Sequence, residues 1–258
     1  MPPLSVKSVK NARRVAVKFE ITPLEEWIQR QSAPLYAVLA GASDAAPLQN
    51  YYQLDGRETP RGLYLGTPYE DWHPVMPYLV ALDKESPFIE WAQSTEASDW
   101  GWIVASEQPV DTLYAHLQGL TQIWHQGEAV FFRYWDGVYL KRILVQLGEG
   151  FTALLPGLSG IWVGGGSFEW AASEATAPRA FPWWELPPVI AATLARQDTG
   201  PLVNNLMQQL ADQNGQLYWS FPEANLRCKV ARFVSRHSSP DIDLFPALEA
   251  ALINEVQA

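Results

Sequence analysis

Five short apolar runs constrain this chain more than any other feature: LYAVLAG at 35–41, GLYLG at 62–66, PYLVALD at 77–83, WGWIVAS at 100–106 and EAVFFRYW at 128–135. Each is rich in aliphatic and aromatic residues and bounded by Gly, Pro or charge, the pattern of a strand buried on both faces. A one-sided strand would instead show a polar residue at every second position. A sheet covered on both sides needs helices, and the intervening segments supply them. Leu24, Trp27 and Ile28 share one helical face, and Phe88, Trp91 and Ala92 share another. Residues 109–125 place Val110, Leu113, His116, Leu117, Leu120 and Trp124 on a third stripe, and Tyr139, Leu140, Ile143, Leu144 and Leu147 form a fourth. Strands alternating with helices predict an α/β lobe, with α+β as the alternative, around a mixed, largely parallel sheet flanked by helices.

After residue 160 the pattern changes. IWVGGGSFEWA at 161–171 reads as a hairpin turning at Gly164, Gly165 and Gly166. TAPRAFPWWELPP at 176–188 carries four prolines, which fix the backbone as a linker or extended arm. Helical spacing returns at 188–197, 201–214, 223–237 and 244–257, a smaller, mostly helical C-terminal lobe of four helices. The division is thus a basic arm at 1–18, an α/β lobe at 19–175, a Pro/Trp-rich linker at 176–188 and a helical lobe at 189–258.

Charge is uneven. Residues 1–18 hold five basic groups and no acid, whereas 19–128 hold four basic against sixteen acidic. A net charge of −10 argues against a nucleic-acid partner, which needs a net basic face to displace counterions from phosphates. The single Cys228 leaves no internal disulfide, no run is long and apolar enough to span a bilayer, and no secretory signal opens the chain, so a cytoplasmic location is expected.

The motifs that would carry chemistry are missing. None of His73, His116, His125 and His237 belongs to an H-E-x-x-H pair, there is no G-x-S-x-G elbow, and no glycine-rich phosphate loop is present. No catalytic residue, metal ligand or cofactor is therefore assigned, and a non-enzyme is expected. The most distinctive stretch is FFRYWDGVYLKRIL at 131–144. Its Arg133, set among rings, calls for a partner, and Asp136 is placed to cap the following helix while Arg133 braces it.

The FRYWD segment, Arg133, Tyr134, Trp135 and Asp136 included, resembles the F-R-[FY]-[YW]-D-P signature of the type VI secretion effector adaptors, also called Tap or TEC chaperones. LYAVLAGA, PYLVALD, WGWIVAS and YAHLQGL at 114–120 resemble further segments of that family in order and spacing, so the likeness spans roughly residues 35–160. Ala40, Gln118 and Gly137 depart from it, standing where Asp, Arg and Pro are usual. The resemblance implies a cytoplasmic, non-enzymatic adaptor that binds a secreted toxic effector and helps load it onto a VgrG-type spike protein. A Trp-rich carbohydrate-binding module and a hydrolase with an acidic site are the alternatives.

Aromatic and Arg anchors are what a surface for another chain should present. Two sets fit: Phe181, Trp183 and Trp184 on the Pro-rich arm, and Arg227, Arg232 and Arg236 around the apolar stripe of the helix at 223–237. Of the 12 tryptophans, Trp27, Trp91, Trp100, Trp102, Trp124 and Trp135 are expected in the core, and Trp183, Trp184 and Trp219 outside it.

Overall fold

Four of the five apolar runs meet in one sheet, though not in the direction expected. A computed structural model describes residues 18–170, 176–197, 200–236 and 244–257, so that the basic arm expected at 1–18 lies outside the described residues save for Lys18. In chain order the first elements are β1 (Phe19–Ile21), α1 (Leu24–Arg30), β2 (Leu35–Leu39), α2 (Pro47–Leu54), β3 (Arg61–Gly62), β4 (Tyr78–Leu82), α3 (Phe88–Ser94) and β5 (Gly101–Ser106). Then come α4 (Val110–Gln118), β6 (Gln122–His125), β7 (Glu128–Phe131), α5 (Gly137–Leu147), α6 (Phe151–Leu154), β8 (Leu158–Val163) and β9 (Gly166–Glu169).

Seven strands form one sheet in the order β1-β9-β8-β5-β2-β4-β3, and every neighbouring pair is antiparallel. This corrects the largely parallel sheet while keeping the mixed α/β class. The single helix α3 does return the chain so that β5 runs the same way as β4, as a strand–helix–strand unit requires. However, β2 lies between those two strands and pairs antiparallel with both. Burial on both faces gave the central runs their apolar character, and it is indifferent to strand direction.

Side-chain alternation assigns the two faces. Leu35, Ala37, Leu39, Val80, Leu82, Ile103, Ala105 and Trp162 pack with Leu24, Trp27 and Ile28 of α1, Tyr51 of α2, and Phe88, Ile89 and Ala92 of α3 in one core cluster. On the opposite face Val38, Trp102, Val104, Ile161 and Val163 are equally buried, as are Leu113 and Leu117 of α4 and Leu140, Ile143 and Leu144 of α5. Each such side chain contributes roughly 1.5–3 kcal/mol by leaving water. The expected hairpin is present: Gly164 and Gly165, with φ of 54° and 81°, form a two-residue turn between the paired Val163 and Gly166.

Three expected elements differ in extent. The run at 62–66 is a strand only at its start and then turns, with Leu63 and Tyr64 buried. The helix expected over 109–125 stops at Gln118, whose carbonyl accepts the Thr121 N–H at 3.0 Å and its hydroxyl at 2.8 Å. The chain then extends as β6, and Trp124 is 40% exposed on that strand rather than buried on a helical stripe. The run at 128–135 is a strand only through Phe131, and it pairs with β6 in a separate two-stranded sheet. Phe132 to Asp136 form a turn instead, held by N–H bonds from Phe132 to the Thr121 carbonyl (3.1 Å) and from Asp136 to the Arg133 carbonyl (3.1 Å).

The chain divides into two compact units, the first ending at Glu185 and the second beginning at Leu186. The second unit comprises α7 (Pro188–Gln197), α8 (Gly200–Gln213), α9 (Gly215–Trp219), α10 (Glu223–Arg236) and α11 (Leu244–Gln257), one short helix more than the spacing predicted. Its core joins Val203, Leu206, Met207 and Leu210 of α8 to Leu226, Val230 and Val234 of α10 and Leu244, Leu248 and Leu252 of α11.

Candidate functional site

The FRYWD segment is the anchor from which the site is built. The Asp136 Oδ1 accepts the N–H groups of Val138 at 2.9 Å and Tyr139 at 3.1 Å, capping α5, while Oδ2 accepts Arg133 Nη2 at 2.6 Å. The cap and brace therefore form, but Arg133 is not a buried charge: its side chain is 59% exposed against 10% for Asp136. Asp136→Ala should then cost about 1–2 kcal/mol, the usual value of a lost N-cap. Arg133→Ala should cost under about 1 kcal/mol because water screens an exposed pair. Calorimetry of both variants checks this ordering, and a larger loss for Arg133→Ala would contradict it. Gly137, in place of the usual Pro, is explained by close approach, since a Cβ there would lie 2.4 Å from the Gly101 carbonyl oxygen.

Tyr134 and Trp135 point inward. The Tyr134 carbonyl accepts the indole N–H of the fully buried Trp102 at 2.8 Å, tying the turn to the centre of the sheet. Burial pushes the Tyr134 hydroxyl well above its ordinary range, and Tyr64 likewise. From here a chain of rings runs outward: Trp135 meets Tyr64 edge-on at 5.8 Å, Tyr64 meets Tyr69 at 6.3 Å, and Tyr69 meets Phe131 at 4.6 Å and Trp72 at 5.2 Å. It ends in solvent, where Trp72 stacks on Phe131 at 5.2 Å with 15° between planes, 47% and 36% exposed. Trp124 lies on the same face of the β6–β7 hairpin as Phe131, by the pairing of Gln122 with Phe131 and of Trp124 with Ala129.

The loop carrying Tyr69 and Trp72 is fixed from below. Tyr114 donates to the Gly62 carbonyl at 2.6 Å and Gln118 to the Leu65 carbonyl at 2.8 Å, while the Thr67 hydroxyl donates to the Tyr64 carbonyl at 2.7 Å. Gln118, one of the departures from the adaptor pattern, thus holds the platform loop. Exposed Glu70, Asp71 and Glu128 accompany the rings.

The Pro-rich arm is not free. Trp124 N–H donates to the Trp184 carbonyl at 2.8 Å, and Glu185 bridges to Trp124 in parallel. Trp184 stacks on Phe132 at 5.7 Å, Trp183 lies 5.7 Å from His116, and Phe181 reaches Tyr69 at 6.1 Å. All three arm rings are half-buried on the first unit. The backbone passes so close that a Cβ on Gly119 would lie 2.1 Å from the Arg179 carbonyl oxygen. Of the expected arm contacts, Phe181 joins the exposed platform and the two tryptophans pin the arm in place.

His116 sits beneath this arm with Nε2 2.9 Å from the Leu154 carbonyl oxygen. Burial lowers its pKa below the ordinary 6.5; the Leu154 contact partly opposes that shift, and the Arg179 charge adds to it. Because the folded value is the lower one, the unfolded chain takes the proton first, so stability is fully present above pH 6.5 and falls as pH drops below it. A His116→Gln variant should lose that component of the acid slope in melting curves between pH 7.5 and 5.5, and identical slopes would contradict the assignment.

In the second unit the three arginines separate. Arg227 donates to Asn204 of α8 at 2.6 Å, whereas Arg232 and Arg236 line a cleft of about 270 Å³ between α10 and α11. The indole of Trp219 is 79% exposed, as its position outside the core pattern predicted. Cys228 is exposed and free.

A cleft of about 420 Å³ in the first unit is lined by Tyr51, Asp55, Arg57, Glu58 and Asp83 among others. Burial raises the Asp55 carboxyl, but the bonds from Arg57 (2.5 Å) and Ser86 and the Arg57 charge outweigh it and hold the group below its ordinary value. That is the state of a structural ion pair. A general acid needs a carboxyl shifted the other way. Among the described residues no group of three or more His, Cys, Asp or Glu could hold a metal ion, and no helix is long and apolar enough to cross a membrane.

The platform residues Tyr69, Trp72 and Phe131 were missed from sequence. The signal was available in GTPYEDWHPV at 66–75, where two rings sit among prolines and acids without helical or strand periodicity, as in the Pro-rich arm. Neither a curated protein nor a solved structure matches the chain. A family model does: residues 35–151 match the family described as Domain of unknown function (DUF4123).

Proposed function

We propose that the chain is a non-enzymatic adaptor and chaperone that binds a type VI secretion effector and helps load it onto a VgrG-type spike protein. The supporting family match, over residues 35–151, falls on the interval where the sequence resembles the type VI effector adaptors. The observation that carries the reading is the exposed ring platform. Trp72 and Phe131 stack in solvent on a base of buried rings, and a rigid, preformed aromatic surface of this kind is suited to holding another protein chain. It is built on the FRYWD segment, so the signature has a structural role in presenting the surface rather than a chemical one.

Deleting the chain from its host tests the proposal. Export of one toxin should stop while the spike and its tube are still assembled and released. Unchanged export of every toxin would contradict the adaptor role.

A further inference from the structure

The β6–β7 hairpin has two edges, and among the described residues only the β6 edge is occupied. There the Trp124 N–H turns outward and donates to the Trp184 carbonyl at 2.8 Å, with Glu185 bridging beside it. Trp124 is paired with Ala129 of β7. In an antiparallel ladder, when one member of a facing pair turns its backbone groups away from its partner, so does the other, and the pattern repeats every second residue. Ala129 and Phe131 therefore turn their N–H and carbonyl groups away from β6. The inward bond from the Phe132 N–H to the Thr121 carbonyl at 3.1 Å, one residue on, sets the same alternation. Among the described residues none of these outward groups has a hydrogen-bond partner, and Ala129 and Phe131 are both exposed. β7 contains neither a Pro nor a bulge, devices that commonly close an edge, and its register with β6 is unbroken.

The open edge adjoins the ring platform, because Phe131 of β7 stacks on Trp72 of the 66–75 loop. Residues 66–75 and 122–131 together hold Glu70, Asp71 and Glu128 and no Lys or Arg. All three acids are exposed, and among the described residues none is in an ion pair. Arg133, just beyond β7, is already held by Asp136. We infer that the β7 edge takes an extended, basic segment of a partner protein as the third strand of this small sheet. The segment carries apolar side chains at alternate positions, which lie over Phe131 and Trp72, and Lys or Arg between them, which meet the acids. Main-chain bonds to Ala129 and Phe131 supply affinity, while the rings and the acids select the sequence. A helix laid over the same rings would bury those backbone groups with nothing to pair them. The Pro-rich arm already binds the hairpin in the extended way on β6, by backbone pairing at Trp124 and by the stacking of Trp184 on Phe132. The inference rests on the platform being a surface for another chain, and adds the conformation and charge of the segment held there.

The probe is a labelled synthetic peptide of about eight residues, with Val and Trp at alternate positions and Lys at the others, mixed with the full chain. Fluorescence anisotropy should show saturable binding, and changing every Lys to Glu should weaken it at least about tenfold. Two further peptides carry N-methyl groups on one or the other alternate set of backbone nitrogens. One set faces β7 and the other faces away, so their affinities should differ at least about tenfold. Amide exchange at Ala129 and Phe131 should slow at least about tenfold in the saturated complex. Ala129→Pro removes one outward donor and no bond to β6, and should weaken binding to a similar degree; the methylated peptides keep the test independent of how that variant folds. Equal affinity of the two methylated peptides, unchanged exchange at both amides, no binding at about 1 mM, or protection of those amides by self-association of the chain would each overturn the proposal. Trp72→Ser separates it from the reading it rests on. Unaltered peptide affinity in that variant would overturn both, whereas lost affinity, with both amides still exchanging freely in the complex of the unaltered chain, would remove the strand pairing and leave the platform.

Discussion

Replacing Trp72 and Phe131 together with serine is expected to abolish recovery of the toxin proposed as the partner, lowering its affinity at least about a hundredfold. Both rings are exposed, yet each packs on the other and on Tyr69, so their arrangement is set within the chain itself. An anchor ring at the centre of an interface typically accounts for about 2 kcal/mol or more, and two of them exceed the factor quoted. Folding should change little, because the pair covers no core: about 0.5–1.5 kcal/mol of ring contact is lost, some 1–6 °C in melting temperature. Retention of the toxin by a folded double variant would show that the platform is not where it binds.

The largest effect on folding is expected at Trp102. This side chain is fully buried at the centre of the sheet, and its indole N–H is the bond that holds the Tyr134 carbonyl. Removing so large a buried ring costs about 3–5 kcal/mol, so Trp102→Ala should lower the melting temperature by roughly 6–20 °C. Trp102→Phe keeps most of the volume but leaves the carbonyl without its donor, and should fall in between, near the 1–3 kcal/mol cost of an unsatisfied buried group. Both variants should also loosen the ring chain from Trp135 to Tyr69, so partner binding should fall with stability, unlike the Trp72 and Phe131 pair. A Trp102→Ala protein with an unchanged melting temperature would contradict this account of the core.

The parts of the fold that depend on burial were legible in the sequence. LYAVL and GWIVAS are central strands because no polar residue interrupts them, and the GGG turn forms because a two-residue hairpin loop needs positive φ at both positions. Direction was not legible, since β2 enters between β4 and β5 through pairings that no local pattern records. Local hydrogen bonds overrode periodicity at Gln118, where Thr121 closes the helix and diverts Trp124 to the surface. The cap of α5 could be read at Asp136, but the exposure of Arg133 depends on the turn that replaces the expected strand.

The candidate site was legible only in part for a related reason. Its rings come from three separated segments, 64–72, 131–135 and 181, each of which alone reads as core, strand or linker. Phe181 stands out in the sequence because the Pro-rich arm is compositionally unusual, whereas the loop of Trp72 is shorter and more polar. The arginines of α10 were grouped by proximity in sequence. Five residues along a helix amount to about 500°, which turns Arg227 roughly 140° away from Arg232 and explains why one braces α8 and the other lines the cleft.

The central claim is that this chain holds a secreted toxin for a spike protein. Its most direct test is purification of the tagged chain from its own host at native expression, followed by mass spectrometry with cross-linking. The account predicts one toxin and one VgrG-type spike protein in near-stoichiometric amounts, with toxin cross-links on the loop at 66–75 and the hairpin at 122–131. A chain recovered without either protein, or toxin cross-links confined to surfaces remote from those rings, would contradict it.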